Sequence, residues 1–116
     1  MHPLAQLYVN PACSKCRTAR AVLDEQGVVA EEVRDLARPP TVAELEELMA
    51  KLGIGDPRQM MRTGEPVYAE LGVEGASAAA LLDAVVHHPI LLERPIFVVG
   101  DRAVIARPPE RVLELL

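Results

Sequence analysis

Apolar residues recur along the chain with two different periods, and these periods predict its secondary structure. Alternation with β-branched residues is typical of strands, and recurrence at every third and fourth position is typical of helices. Strands are predicted at 4–10, 28–36, 96–99 and 103–106. Helices are predicted at 14–26, 41–52, 65–71, 77–89 and 109–116, with a short helix from Asp56-Pro57 to Met61.

Two of these helices carry clear end signals. Thr41 and Glu44 form a capping box, in which each side chain bonds the backbone amide of the other residue. Gly27 is a C-terminal stop for the helix at 14–26, because glycine readily adopts the left-handed conformation that ends helices. The start of the helix at 41–52 and the end of the helix at 14–26 are therefore marked in the sequence.

The order of elements indicates an α/β fold class. A β-α-β unit opens the chain and a β-β-α unit closes it, and together they can build one four-stranded mixed sheet with flanking helices. We expect a single domain, 1–116, with a core at about 1–36 and 90–116 and a helical insertion at about 37–89. A plain α+β domain with another strand order is the alternative.

Composition narrows the class of protein further. The 116 residues are half apolar and a quarter charged, which is ordinary for one globular domain. A net charge of -5 argues against binding nucleic acid, because phosphate neutralisation needs a basic face. No stretch approaches the roughly 18 apolar residues of a membrane span, and the N-terminus lacks the pattern of a secretory signal. The expected location is cytoplasmic, with no membrane partner.

The candidate chemistry lies in Cys13-Ser14-Lys15-Cys16, between a predicted strand and a helix. A helix N-terminus stabilises a thiolate at Cys13, and Lys15 and Arg17 add positive charge. Cys16 lies one turn later, where it can attack a sulfur adduct on Cys13 and form an internal disulfide. Both residues are therefore candidate catalytic cysteines.

Two alternatives to redox chemistry are weaker. The cysteines could be small buried hydrophobic residues. They could also bind zinc with His87 and His88, but adjacent histidines do not match the usual ligand spacing. We therefore expect no metal.

A helix start of this kind also binds oxyanions through its free amides and its dipole. Asn10 and Ser14 flank that start. In an acidic protein, the cations for an oxyanion must be arginines brought from elsewhere in the chain. The candidates are Arg62, Arg94 and Arg107, and the bond between Arg94 and Pro95 is a candidate cis bond. A typical arginine is solvated, so composition alone does not select these three.

Four blocks of sequence indicate a protein family more specifically than composition does. They run from Tyr8-Val9-Asn10-Pro11-Ala12-Cys13 through Arg62-Thr63-Gly64-Glu65-Pro66-Val67-Tyr68 and His88-Pro89-Ile90-Leu91-Leu92-Glu93-Arg94-Pro95-Ile96 to Arg107-Pro108. In this order, and over essentially the whole chain, they resemble the glutathione/glutaredoxin-dependent arsenate reductases. The third block is shared with the related Spx-type regulators.

The resemblance implies a thioredoxin-like fold and the reduction of arsenate to arsenite. Cys13 is then the nucleophile, and Arg62, Arg94 and Arg107 bind the oxyanion. Glutathione is the implied co-substrate and glutaredoxin the implied electron donor, with no tightly bound cofactor.

Two departures from the family pattern keep other functions open. Val9 stands where relatives often carry histidine, and Cys16 stands where they often carry serine or a small residue. A Cys13-Cys16 disulfide switch is similar to that of an Spx-like regulator in contact with RNA polymerase. A general glutaredoxin-like oxidoreductase is a further alternative. Arg107 favours the reductase, because the regulators usually lack it.

Overall fold

Four strands form one mixed sheet in the computed structural model, which describes residues 5–9, 14–34 and 38–116. They are β1 (Ala5–Tyr8), β2 (Glu31–Val33), β3 (Ile96–Val99) and β4 (Arg102–Ile105). Their order in the sheet is β2-β1-β3-β4. β1 is parallel to β2 and antiparallel to β3, and β3 is antiparallel to β4. The predicted four-stranded mixed sheet is confirmed.

The β3–β4 hairpin closes through a tight turn at Gly100 and Asp101. Gly100 has a φ of 60°, a left-handed conformation that glycine adopts without the steric cost of a Cβ atom. Arg102 pairs directly with Val99, so β4 begins one residue earlier than predicted. It also ends one residue earlier, before Ala106.

Helix α1 (Ser14–Glu25) covers the sheet with one apolar face. Cys16, Ala19 and Leu23 are buried on that face, as its helical spacing requires. They belong to one apolar cluster with residues of β1, β3 and β4, including Leu7 and Phe97. The sheet and α1 therefore share a core.

The predicted strand at 28–36 begins too early, because Val28 belongs to the turn that ends α1, and residues 35 and 36 lie outside the described residues. Gly27 N–H donates to Asp24 O (3.1 Å) and Val28 N–H to Leu23 O (3.0 Å), which is the pattern of a Schellman motif. Val29 is 90% exposed. Pairing with β1 therefore begins only at Glu31, and β2 has three residues.

The predicted C-terminal helix is a 3-10 helix, Pro109–Leu115. Pro109 and Val112 are buried, and Leu115 packs against the core cluster. This spacing of three matches the three residues per turn of a 3-10 helix. The element packs on α1 and β4.

The described part of the chain belongs to two compact units, whose bounds are Met1–Asp35 with Arg94–Leu116, and Leu36–Glu93. The bounds lie close to those of the predicted core and insertion, and the single domain stays a prediction. The second unit contains α2 (Val42–Leu52), α3 (Pro66–Leu71), α4 (Ala78–His87) and the 3-10 helices Pro57–Met60 and Pro89–Leu91. None of the helices in the described residues is both long and apolar enough to cross a bilayer.

The second unit has its own apolar core. α4 packs against α2 and both 3-10 helices. The fully buried side chains at these contacts belong to Leu45, Met60, Leu81, Val85 and Leu91. Met60 fills this core.

We expect Thr41→Ala to destabilise the protein by about 1 kcal/mol. Thr41 Oγ1 accepts from Glu44 N–H (3.1 Å), and Glu44 Oε1 accepts from Thr41 N–H (3.2 Å), so the substitution breaks the capping box of α2. Urea unfolding measures the loss. Thr63→Ala, at an exposed threonine outside any helix, is the control and should change stability by less than about 0.5 kcal/mol. Equal effects of both substitutions would contradict the capping role.

Candidate active site

The first turn of α1 is electropositive. Ser14, Lys15 and Arg17 are exposed there, and the turn contains no acidic residue. The first backbone N–H groups of a helix have no acceptor within it, and the helix dipole places its positive end at the same point. An anion next to this turn is therefore stabilised by amides, dipole and side chains together.

Asn10 and Cys13, two of the predicted site residues, lie outside the described residues. β1 leads to Val9, whose N–H donates to Val33 O (2.9 Å), and α1 starts at Ser14. In the sequence, Cys13 is the residue directly before that first helical residue. The roles of Asn10 and Cys13 stay predictions.

Cys16 is buried, with 3% of its surface exposed. It lies on the core face of α1, in the same apolar cluster as Ala19 and Leu23. A thiol in this position is shielded from reagents in solution. Its chemistry is therefore restricted to sulfur atoms in its immediate neighbourhood.

The strand register brings Arg94 and Arg107 to the same end of the β3–β4 hairpin. Ala106 N–H donates to Pro95 O (2.9 Å). Arg94 directly precedes Pro95, just before β3, and Arg107 directly follows Ala106, just after β4. The Arg94–Pro95 bond is cis, as the sequence analysis suggests, and so is Arg107–Pro108. Two arginines that are distant in the sequence thus become neighbours at one end of a hairpin.

The same end of the sheet is where β1 finishes. Tyr8, the last residue of β1, pairs with Ile96, the first residue of β3. In the sequence, Ser14, the first residue of α1, comes four residues after Asn10. The electropositive helix start and the two arginines therefore belong to one end of the sheet, within the first unit.

Burial makes Arg94 unusual among these cations. Arg94 is 3% exposed, whereas Arg107 is half-buried, with its Nε atom shielded from solvent. Both residues have interaction partners. A buried guanidinium is held in place, and low local polarity strengthens its attraction for an anion. These are properties of a binding residue more than of a solvated surface arginine.

Arg62 belongs to the second unit. Its backbone N–H donates to Leu91 O (2.6 Å), and its guanidinium forms an ion pair with Glu65, with Nη2 and Oε1 3.1 Å apart. Arg62 is a candidate from the sequence, whereas Glu65 is not. The signal available in the sequence was opposite charge at a spacing of three residues. That Arg62 joins Arg94 and Arg107 around one oxyanion stays a prediction.

Arg58 is likewise not a candidate site residue from the sequence, and it has a structural role. Its guanidinium donates to Tyr68 Oη (3.1 Å) and to the carbonyls of Val73 (3.1 Å), Glu74 and Ala76 (3.4 Å). The hydrogen bond to Tyr68 is the main cause that raises the pKa of Arg58 above its usual value. Because these acceptors already engage it, Arg58 is not a further oxyanion ligand.

The described residues hold no group of three or more His, Cys, Asp or Glu side chains that could bind a metal ion. His87, one of the two histidines considered for zinc, instead contacts the last turn of its own helix. Its Nδ1 lies 2.9 Å from Asp83 O. This contact matches the capping role that histidine often has near a helix C-terminus.

Comparisons with known proteins converge on one family. A family model described as the ArsC family matches residues 8–115 of this chain. An arsenate reductase of Haemophilus influenzae is 44% identical, over 95% of this chain and 97% of the relative. An arsenate reductase of Neisseria meningitidis serogroup A is 40% identical, over 98% of this chain and 99% of the relative.

Solved structures agree with the sequence comparison. The structure of an arsenate reductase from Vibrio cholerae is 41% identical and covers 100% of both chains, with a TM-score of 0.95. The fold is therefore thioredoxin-like, as the resemblance implies.

Proposed function

The chain belongs to the ArsC family, and from this premise we propose that it reduces arsenate to arsenite through a covalent adduct on Cys13. The observation that carries the proposal is that Arg94 and Arg107 flank the β3–β4 hairpin at the end of the sheet where β1 finishes. Relatives named arsenate reductase match nearly the whole chain.

The proposed reaction assigns one task to each group. The Cys13 thiolate attacks arsenic and displaces one oxygen, which leaves as water. The guanidinium groups of Arg62, Arg94 and Arg107 stabilise the charge on the remaining oxygens. The free amides at the start of α1, with Ser14 and Asn10 beside them, complete the oxyanion site.

The reduction itself needs two thiols. They give up two protons and two electrons and form one sulfur–sulfur bond, while As(V) accepts the electrons and leaves as arsenite. The first thiol is Cys13. The second is glutathione, with glutaredoxin reducing the mixed disulfide that remains, or Cys16, which then closes an internal disulfide.

The burial of Cys16 supports glutathione as the second thiol. A core position suits packing better than repeated cycles of disulfide formation and release. Glutathione is then a co-substrate that leaves with each turnover, and no tightly bound cofactor is needed. A cytoplasmic location, where glutathione is abundant, is part of the same proposal.

The experiment is arsenate-dependent consumption of NADPH by the purified protein, coupled through glutathione, glutathione reductase and glutaredoxin. Turnover that requires both glutathione and glutaredoxin would support the proposal. Absence of turnover, in a coupling system shown to be active with a known arsenate reductase, would contradict it. Redox-dependent binding to RNA polymerase would then indicate an Spx-like regulator.

We expect Cys16→Ala to keep kcat within about 3-fold of the wild type, an effect below 1 kcal/mol. The residue packs in the core, so the substitution should act mainly by removing a buried sulfur. The same coupled assay measures the rate, and thermal unfolding measures the packing loss. A loss of turnover as complete as that expected for Cys13→Ser would instead identify Cys16 as the resolving thiol.

A further inference from the structure

Backbone hydrogen bonds hold Arg62 on both sides within the second unit. Its N–H donates to Leu91 O (2.6 Å), next to an antiparallel bridge between Met61 and Leu92. Its carbonyl accepts from Glu65 N–H (3.1 Å). The backbone of Arg62 is therefore held, and the remaining freedom of its guanidinium lies in the side-chain torsions.

The Glu65 carboxylate restricts those torsions. Its Oε1 lies 3.1 Å from Nη2 of Arg62, and the two side chains are 21% and 37% exposed. Glu65 directly precedes α3, where a carboxylate can bond the first helical amides, but its side chain makes no such bond. The carboxylate therefore pairs with Arg62 and does not cap α3.

We propose that Glu65 is a positioning residue that holds the Arg62 guanidinium ready for the oxyanion. This inference rests on the proposed function, in which Arg62 binds arsenate. A guanidinium has five N–H donors in a rigid fork, so Nη2 can stay on Glu65 while other donors bind an oxygen of the substrate. A side chain that is ordered in advance loses less conformational entropy on binding.

Glu65 also brings a negative charge close to an anion site, which opposes binding. That charge is balanced by Arg62 and screened by solvent, since both side chains are partly exposed. Two substitutions of Glu65 distinguish the positioning of Arg62 from the repulsion of the anion. Glutamine keeps an acceptor oxygen for Arg62 and removes the charge, whereas alanine removes both.

The experiment compares Glu65→Gln, Glu65→Ala, Arg62→Ala and the double variant Arg62→Ala/Glu65→Ala in the coupled arsenate assay. Glu70→Gln is the matched control, because Glu70 is an exposed glutamate on α3. We expect Glu65→Ala to raise KM for arsenate about 3- to 10-fold and to change kcat less than about 2-fold. Glu65→Gln should stay within about 2-fold of the wild type in KM, as should Glu70→Gln.

The double variant tests whether Glu65 acts through Arg62. If it does, Glu65→Ala adds nothing to the KM of Arg62→Ala, because the group to be positioned is gone. Additive effects would overturn the inference. So would an unchanged KM in Glu65→Ala, or a KM that falls in both Glu65 variants, since the latter means that the charge only repels the substrate.

Direct binding separates failure of this inference from failure of the proposed function. Arsenate affinity is measured for the same variants by calorimetry, with reduced protein and no glutathione. If the wild type binds arsenate without turning it over, the proposed function fails, and the Glu65 inference stands or falls on whether Glu65→Ala weakens binding. A wild type that does not bind arsenate overturns both.

Discussion

Substitution of Cys13 by serine is expected to lower arsenate-dependent turnover by at least about 10³-fold, which in practice means below detection. A serine hydroxyl is a far weaker nucleophile than a thiolate, and the electropositive start of α1 can stabilise a thiolate but cannot ionise a hydroxyl near neutral pH. The difference between the two side chains is one atom. Folding should therefore be preserved while the covalent adduct is lost.

The coupled NADPH assay measures this loss, and circular dichroism with thermal unfolding checks the fold. Alkylation by iodoacetamide, followed by mass spectrometry, provides a second readout. In the native wild type the label should appear on Cys13 before it appears on the buried Cys16. Turnover of Cys13→Ser above about 1% of the wild-type rate would contradict the assignment of Cys13 as nucleophile.

Substitution of Arg94 by lysine is expected to lower kcat/KM for arsenate about 10- to 100-fold. Arg94 is buried at the base of the β3–β4 hairpin, where its planar fork can make two parallel bonds to an oxyanion. Lysine keeps the positive charge but offers a single point of contact, and a lost hydrogen bond to a charged group typically costs about 1.5 to 3 kcal/mol. Lysine also avoids emptying a buried cation site, as alanine would.

Arg102→Lys is the matched control for this prediction. Arg102 is an exposed arginine at the other end of the same hairpin, opposite Val99. Its substitution should leave kcat/KM within about 2-fold, because solvated side chains rarely change a distant site. Equal kinetics for Arg94→Lys and the wild type, with unchanged thermal unfolding, would remove Arg94 from the oxyanion site.

The elements that were predicted well are those whose signals are local. The capping box of Thr41 and Glu44 forms as the sequence implies, and Gly27 ends α1. Each of these features depends on residues within one or two turns of each other, so neighbouring residues contain all the information.

Predictions that failed in detail depended on pairing between distant segments. The strand expected from residue 28 begins only at Glu31, because Val28 belongs to the Schellman motif that ends α1. The C-terminal helix is 3-10 in form because its apolar positions recur every third residue against α1 and β4. The period of apolar residues in one segment contains no information about the segment that packs against it. It therefore could not predict where β2 begins or that the C-terminal helix is of the 3-10 type.

For the candidate site, the sequence alone determined the residue types: a nucleophilic cysteine before a helix, and arginines suited to an oxyanion. It could not distinguish a buried Arg94 from a solvated one, because burial depends on which strands flank the residue. Only the tertiary structure decided that Arg94 and Arg107 share one end of a hairpin, that Cys16 belongs to the core, and that Glu65 forms an ion pair with Arg62. Side-chain chemistry is a local property of the chain, whereas charge pairing and burial arise only when separate segments pack together.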